Sequence, residues 1–317
     1  MASHGVIVRA LAEHELADAD RIMRMAFGTF LGIPDPSSFM GDADYVRTRW
    51  AADPSLALAA EVDGRLVGTN FVTGWGSVGF FGPLTVEPAL WDQGVARALL
   101  DETMPVFDRC ALSAAGLFTF GQSPKHVGLY QRYGFMPRFL TAVLARPPAA
   151  PGDAGSEPWS ALSELADAEA VVAGCKEVTG AVYPGLDVSR EVRAAATQKL
   201  GDTVVVPGDD GPVDAFAVCH TGPGTEAGSG ACFVKFGAAR PGDGAGARFD
   251  RLVRACEAFA DARGAGVVVA GVSTARRGAY RALLERGYKA QLIGVTMHRP
   301  DEGPYHHDDA WVIDDWR

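Results

Sequence analysis

The stretch from Gly79 to Phe135 constrains this chain more than any other, because it reads strand, glycine turn, helix, strand, helix, in that order. Its first strand is Phe80-Phe81-Gly82-Pro83-Leu84-Thr85-Val86. The turn Glu87-Pro88-Ala89-Leu90-Trp91-Asp92-Gln93-Gly94-Val95-Ala96-Arg97 leads into a helix expected from about Gly94 to Met104, which Pro105 kinks or ends. Small residues at such a junction, Gly94 and Ala96, let backbone N–H groups approach an anion, and the helix N-terminus adds a favourable dipole potential. After the strand Leu117-Phe118-Thr119-Phe120, Ser123-Pro124 reads as an N-cap with proline at the first helical position. That helix carries Tyr130, a phenol able to donate a proton, and closes at Gly134-Phe135.

Around this segment the pattern continues. A strand at Val6 to Arg9 precedes a helix with Leu16, Ala19, Ile22, Met25 and Ala26 on one face. A second helix is expected at Asp42 to Ala52. Leu56 to Val62 and Leu66 to Gly74 read as strands joined by an Asp63-Gly64 hairpin turn. A last strand, Phe139 to Leu144, meets a Pro/Ala/Gly-rich linker. The second half repeats the plan. Helices are expected at Leu162 to Gly174, Asp187 to Leu200, over Phe249 to Phe259, and at Ser273 to Arg286. Strands are expected at Thr203 to Val206, Ala215 to His220, Cys232 to Ala238, Val267 to Ala270 and Gln291 to His298. Ser123 stands seven before Tyr130 as Ser273 stands seven before Tyr280, and Gly134-Phe135 matches Gly287-Tyr288. The spacing predicts a tandem duplication with a diverged second copy. Two domains result, 1–145 and 159–300, with a linker at 146–158 and a tail at 301–317. Counted forward from Ser273, Tyr280 matches Tyr130; counted back from Gly287, Leu283 does. The helix end is the firmer anchor, so the second copy is expected to lack the acid.

A formal net charge of −10 argues against nucleic acid or an anionic membrane as partner and mildly favours cationic ligands such as amines. No apolar run reaches membrane-spanning length, the N-terminus lacks the pattern of a signal peptide, and five scattered cysteines read as reduced thiols, so a cytoplasmic protein without a metal site is expected.

At these residues the chain resembles the GNAT superfamily of N-acetyltransferases. The family pattern Gln/Arg-x-x-Gly-x-Gly/Ala stands here as Trp91-Asp92-Gln93-Gly94-Val95-Ala96, with Trp91 departing. The pattern Asn-x-x-Ala-x-x-Leu-Tyr-x-x-x-Gly-Phe stands as Ser123-Pro-Lys-His126-Val-Gly-Leu129-Tyr130-Gln-Arg-Tyr-Gly134-Phe135, with Ser123 and His126 departing. The resemblance implies an α+β fold: two tandem domains, each with a mixed sheet flanked by helices, whose central strands splay around acyl-CoA. It implies that backbone groups of Leu84 and Val86 meet the acyl carbonyl and pantetheine. The N–H groups of Asp92, Gln93, Gly94, Val95, Ala96 and Arg97 would hold the pyrophosphate, and Ser123 would stand by the pantetheine arm. Tyr130 would be the general acid. The carboxylate common on the family's central strand is replaced by Phe80 and Phe81, leaving Glu61, Glu87 or a water relay as proton acceptor. The implied activity is acetyl transfer from acetyl-CoA to a small-molecule amine chosen by variable loops such as Phe27 to Asp42. A homodimer is compatible with it. The competing class is a non-catalytic acyl-CoA sensor.

Three further expectations concern polar residues. His126 reads as a helix-surface residue. His306-His307-Asp308-Asp309 and the pairs Asp209-Asp210 and Asp314-Asp315 read by charge as solvated. Yet Trp311-Val312-Ile313-Asp314-Asp315-Trp316-Arg317 is too apolar for a free tail. It is expected to dock, either on the second domain alone or between the domains with Asp314, Asp315 or the terminal carboxylate near the acceptor pocket.

Overall fold

The computed structural model describes residues 5–148, 158–208 and 213–317. Most of the expected linker, and Asp209-Asp210, lie outside those residues. The chain begins with β1 (Ile7–Ala10) and α1 (Leu16–Phe30), which buries Leu16, Ala19, Ile22, Met23 and Ala26 at helical spacing. The Asp44 carboxylate accepts from the Arg47 N–H at 2.8 Å and caps α2 (Tyr45–Ala52). Asp63 and Gly64, both at positive φ, turn β2 (Ala57–Val62) into β3 (Arg65–Trp75). β4 (Val78–Phe81) and β5 (Thr85–Val86) both lie antiparallel along β3. The expected single strand is therefore broken at Gly82-Pro83-Leu84, where proline has no N–H to give a ladder.

α3 (Val95–Arg109) continues past Pro105, so the proline does not end it. The carbonyl that proline leaves unpaired belongs to exposed Asp101, on the solvent side, where water can take it. β6 (Ala114–Thr119), α4 (Pro124–Gln131) and β7 (Met136–Arg146) complete the first half.

In the second half come β8 (Ser160–Ala161), α5 (Ala168–Val182), α6 (Ser189–Thr197), β9 (Gly201–Val206), β10 (Ala215–Gly222), β11 (Gly228–Ala239), α7 (Ala245–Ala262), β12 (Val267–Ser273), α8 (Arg277–Glu285), β13 (Lys289–Arg299) and β14 (Val312–Ile313). α5 starts later than expected because Asp167 caps it, accepting from the Ala170 N–H at 3.0 Å; Leu162–Glu164 is only a single 3-10 turn. Ser273 ends β12 and does not cap α8.

The largest departure is in the sheet. Two separate sheets were expected, and one 14-stranded sheet runs through both halves. Its order is β1-β2-β3-β4-β6-β13-β7-β12-β11-β10-β9-β8. The last strand of each half is exchanged: β13 lies antiparallel to β6 (Val295 opposite Thr119), and β7 lies antiparallel to β12 (Thr141 opposite Ser273). β13 and β7 also pair with each other along their length. The chain boundary at 146–158 is thus no seam in the sheet. Parallel pairing in β4–β6 and β11–β12 among antiparallel neighbours makes the sheet mixed, with helices flanking it, as the fold class requires. The halves also share a core in which Trp75 and Phe80 pack with Val188, Phe216, Phe236 and Trp316. Among the described residues no helix is long and apolar enough to cross a membrane.

Candidate active site

β4 and β6 pair in parallel only from Val78 opposite Ala114 to Phe80 opposite Gly116. Beyond that point β5 stays with β3 while β6 follows β13, and the strands part. The gap is a cleft of about 750 Å³, with Leu84, Thr85 and Val86 on one wall and Phe118, Thr119 and Phe120 on the other.

One end of the cleft is built for an anion. Gly94 caps α3 at φ 89°, a left-handed conformation that costs glycine nothing, and no side chain caps the helix. The N–H groups of the first turn are therefore available to a ligand, with the helix dipole behind them. Asp92, Gly94, Val95, Ala96 and Arg97 line this end, as does Lys125, which pairs with Asp92 at 2.6 Å. Both partners of that pair are exposed, so it contributes little to stability. Gln93 does not line the cleft; its side-chain amide donates to the Ala89 carbonyl at 3.1 Å. Trp91, at the family's Gln/Arg position, donates its indole N–H to the Val86 carbonyl at 2.8 Å and ties the turn to β5. Ser123 lines the cleft while accepting the His126 N–H as the cap of α4.

Tyr130 enters from α4, 8% exposed, with its ring edge-on to Phe81 at 5.5 Å. Burial pushes its pKa up to about 12 although the Thr119 hydroxyl pulls the other way. The phenol is protonated throughout the neutral range, as an acid must be. The expected proton acceptors are elsewhere. Glu61 is held by Arg9 at 2.9 Å and Glu87 by Arg21 at 3.2 Å, and neither lines the cleft. His126 is half-buried in the cleft wall against Phe30 at 4.9 Å, and not a plain surface residue as expected. Burial, helped by the Lys125 charge, pushes its pKa down.

The tail docks across both halves. β14 adds to β11 at Gly237 and Ala238. Trp316 stacks on Phe80 at 5.9 Å and lies against Gly116, and Trp316 and Arg317 both line the cleft. Asp314 and Asp315 are buried, contrary to the charge-based expectation, because each has a cation. The Arg276 guanidinium donates to Asp314 at 2.7 Å, as does the Tyr305 hydroxyl, and Arg317 donates to Asp315 at 2.8 Å. Neither carboxylate lines the cleft. His306 is likewise buried, stacked on Phe139 and Tyr305, whereas His307, Asp308 and Asp309 are exposed.

Beneath the tail lies a buried charge network that no local pattern announced. Arg49 donates to the Gly82 carbonyl at 2.5 Å, to the Arg317 carbonyl, and to Glu226 at 3.3 Å. Lys235 reaches Glu226 at 2.6 Å and Glu191 at 3.4 Å. Burial alone would raise the Glu226 pKa, but Arg49 and Lys235 hold it well below the usual carboxylate range. The partners lie far apart in sequence, which is why periodicity could not find them.

Residues 22–135 match the family described as Acetyltransferase (GNAT) family. No curated protein matches the chain by sequence. Among solved structures, a provisionally assigned acetyltransferase from Pyrococcus horikoshii is similar over 100% of this chain and 96% of its own, with TM-score 0.71 and 14% identity. A GCN5-related N-acetyltransferase from Sphaerobacter thermophilus is similar over 94% and 96%, with TM-score 0.61 and 18% identity. A fungal glucosamine N-acetyltransferase region covers 94% of this chain and 38% of the larger protein, with TM-score 0.65 and 14% identity. At such identities the likeness is one of fold. Residues 22–135, which supply most of the cleft lining, are an acyltransferase domain of the acetyltransferase (GNAT) family.

Proposed function

We propose that the cleft transfers an acetyl group from acetyl-CoA to the amine of a small molecule, with Tyr130 as general acid. The observation that carries this reading is convergence: an uncapped helix N-terminus behind Gly94, the backbone of the strand break at Leu84 and a protonated buried phenol open into one cleft. The fit to a coenzyme A thioester rests on those features. Backbone N–H groups from Asp92 to Arg97, with the Arg97 charge, suit the pyrophosphate; Gln93 contributes only its main chain. The backbone of Leu84 and Val86 suits the acyl carbonyl and pantetheine, and Ser123 flanks that arm. When bound, the thioester supplies an activated acetyl carbon. The chain's own work is to align the attacking nitrogen, to stabilise negative charge on the carbonyl oxygen with a backbone donor, and to protonate the departing sulfur from Tyr130.

In the same reading, residues 159–300 are a diverged, non-catalytic companion domain that supports the cleft through the exchanged strand and the tail. Replacing Tyr130 with Phe tests the assignment. Turnover should fall by about 10² or more across the neutral range, where the phenol is protonated, while acetyl-CoA affinity stays within a factor of about two, since the phenol is given no role in binding. Full turnover in that variant would remove Tyr130 as the acid. Acetyl-CoA binding without turnover on any amine in the unaltered protein would instead identify a sensor.

A further inference from the structure

Acetylation of an alkylamine needs a proton acceptor, and among the described residues no side chain lining the cleft is suited to it. Among the described residues the side-chain carboxylate lining the cleft is that of Asp92, tied to Lys125 at 2.6 Å at the anion end. The other charged groups in the lining are Arg97, Arg132 and Arg317, all cationic. An alkylammonium would meet like charge there. With a pKa near that of lysine, only roughly one molecule in a few thousand is neutral at pH 7. His126 is uncharged, but a base weaker than ordinary histidine cannot take a proton from so weak an acid.

The remaining wall is aromatic. Phe27 and Phe39 stack at 5.3 Å, 19° from parallel. Phe120 lies 6.3 Å from Phe27 and 5.1 Å from Phe30, tilted 57° and 45° to them, so that ring faces and edges both meet the cleft, and Trp316 closes the side toward the tail. Offset stacking against such rings favours another ring over a flexible chain.

From this juxtaposition we infer that the acceptor is an aromatic amine, its nitrogen attached directly to the ring that this aromatic wall receives. The inference rests on the acyl-transfer reading of the same cleft. An arylamine shares its lone pair with the ring and is uncharged at neutral pH, so no base is needed before attack. The nitrogen forms its bond to the acetyl carbon and the carbon–sulfur bond breaks. The sulfur takes the Tyr130 proton. The proton shed by the acylated nitrogen returns through water to the tyrosinate, and the cycle closes with an amide and a free thiol.

The test compares aniline and 4-methylaniline with benzylamine, cyclohexylamine and spermidine at saturating acetyl-CoA, reading thiol release. At pH 7 kcat/KM for the arylamines should exceed that for the alkylamines by about 10²-fold or more, and the gap should close as pH rises and the alkylamines lose their protons. A readout independent of turnover is calorimetry in the presence of coenzyme A. Acetanilide should bind more tightly than N-cyclohexylacetamide, and Phe39→Ala should weaken acetanilide about tenfold while leaving coenzyme A affinity unchanged. Cyclohexylamine or spermidine used as well as aniline at pH 7 overturns the inference. So does a preference for octanoyl-CoA over acetyl-CoA, which would give the aromatic wall to the acyl chain. Acetyl-CoA binding with no thiol release from either amine class brings down the transferase reading itself, a result distinct from the wrong amine being preferred.

Discussion

The two halves of the sheet contain the same parting of strands, and only one parting is open. α3 and α7 each follow a left-handed glycine, Gly94 at φ 89° and Gly244 at φ 79°, and neither has a side-chain cap. β11 and β12 pair in parallel as β4 and β6 do. In the first half the gap beyond the pairing is the cleft, and a Cβ added at Gly128 would meet nothing within 4 Å among the described residues. In the second half β14 hydrogen-bonds to β11 inside the gap, and the Trp311 ring lies over two glycines. A Cβ at Gly246 would meet that ring at 3.1 Å and one at Gly278 at 2.7 Å. The turns that close the two lining helices settle the register. The Phe135 N–H donates to the Tyr130 carbonyl at 3.2 Å, and the Tyr288 N–H to the Leu283 carbonyl at 3.1 Å. Leu283, fully buried, therefore stands where Tyr130 does, and Tyr280 does not. A splayed strand edge and an uncapped helix are a binding site only while nothing in the chain fills them. Here the tail fills one gap and walls the other.

Trp311→Ala is the strongest way to break that contrast. Losing this ring should cost about 3 kcal/mol, read as a lowered denaturation midpoint. Calorimetry should still count one coenzyme A per chain, because β14 remains on β11. A second equivalent of bound coenzyme A would mean that the two gaps differ only by the plug. The paired substitutions Gly94→Val and Gly244→Val sharpen it at smaller amplitude. Each forces a branched residue into a left-handed position, at a cost of roughly 1–2 kcal/mol. Only the first should also weaken coenzyme A binding, by tenfold or more, since only its turn faces an open cleft. Equal loss of affinity in both variants would refute the distinction.

What sequence reasoning could and could not reach follows the same line. Gly94, Ser123, Tyr130 and the helices they introduce or occupy were legible because caps, turns and helical spacing act within a few residues. The exchange of β7 and β13 was not. Both are 11-residue strands with buried inner halves, and local pattern says nothing about which neighbour a strand takes. The tail was half legible. Two tryptophans and Val312-Ile313 announced docking, while Asp314 and Asp315 looked solvated until the structure supplied Arg276 and Arg317. Their burial depends on partners that meet them only after folding. Gln93 shows the limit of a motif: it sits in the expected turn, yet it does not line the cleft and its side chain donates to the Ala89 carbonyl.

The smallest predicted effect probes by pH the shared core on which the tail docks. His220 and His298 are buried in and beside the shared core, and burial lowers the pKa of each to about 4, with Lys235 adding to the shift at His220. Arg276 and Arg138 add to it at His298, opposed by the Glu302 backbone and by Asp301. His306 is pushed down as well, by burial and by the Arg276 charge. A histidine whose folded pKa is depressed contributes full stability above its unfolded pKa, and that stability drains as pH falls toward the folded value. The window therefore opens near pH 6.5 and runs down to about 4. Between pH 7 and 6 each of these histidines should cost about half a kcal/mol, seen as a falling urea midpoint. His298 lies 5.2 Å from the Trp316 ring, so tryptophan emission from the tail should change in step. His298→Leu should flatten its share of the slope, and a midpoint that rises on acidification over this range would show that these rings are not the groups being titrated.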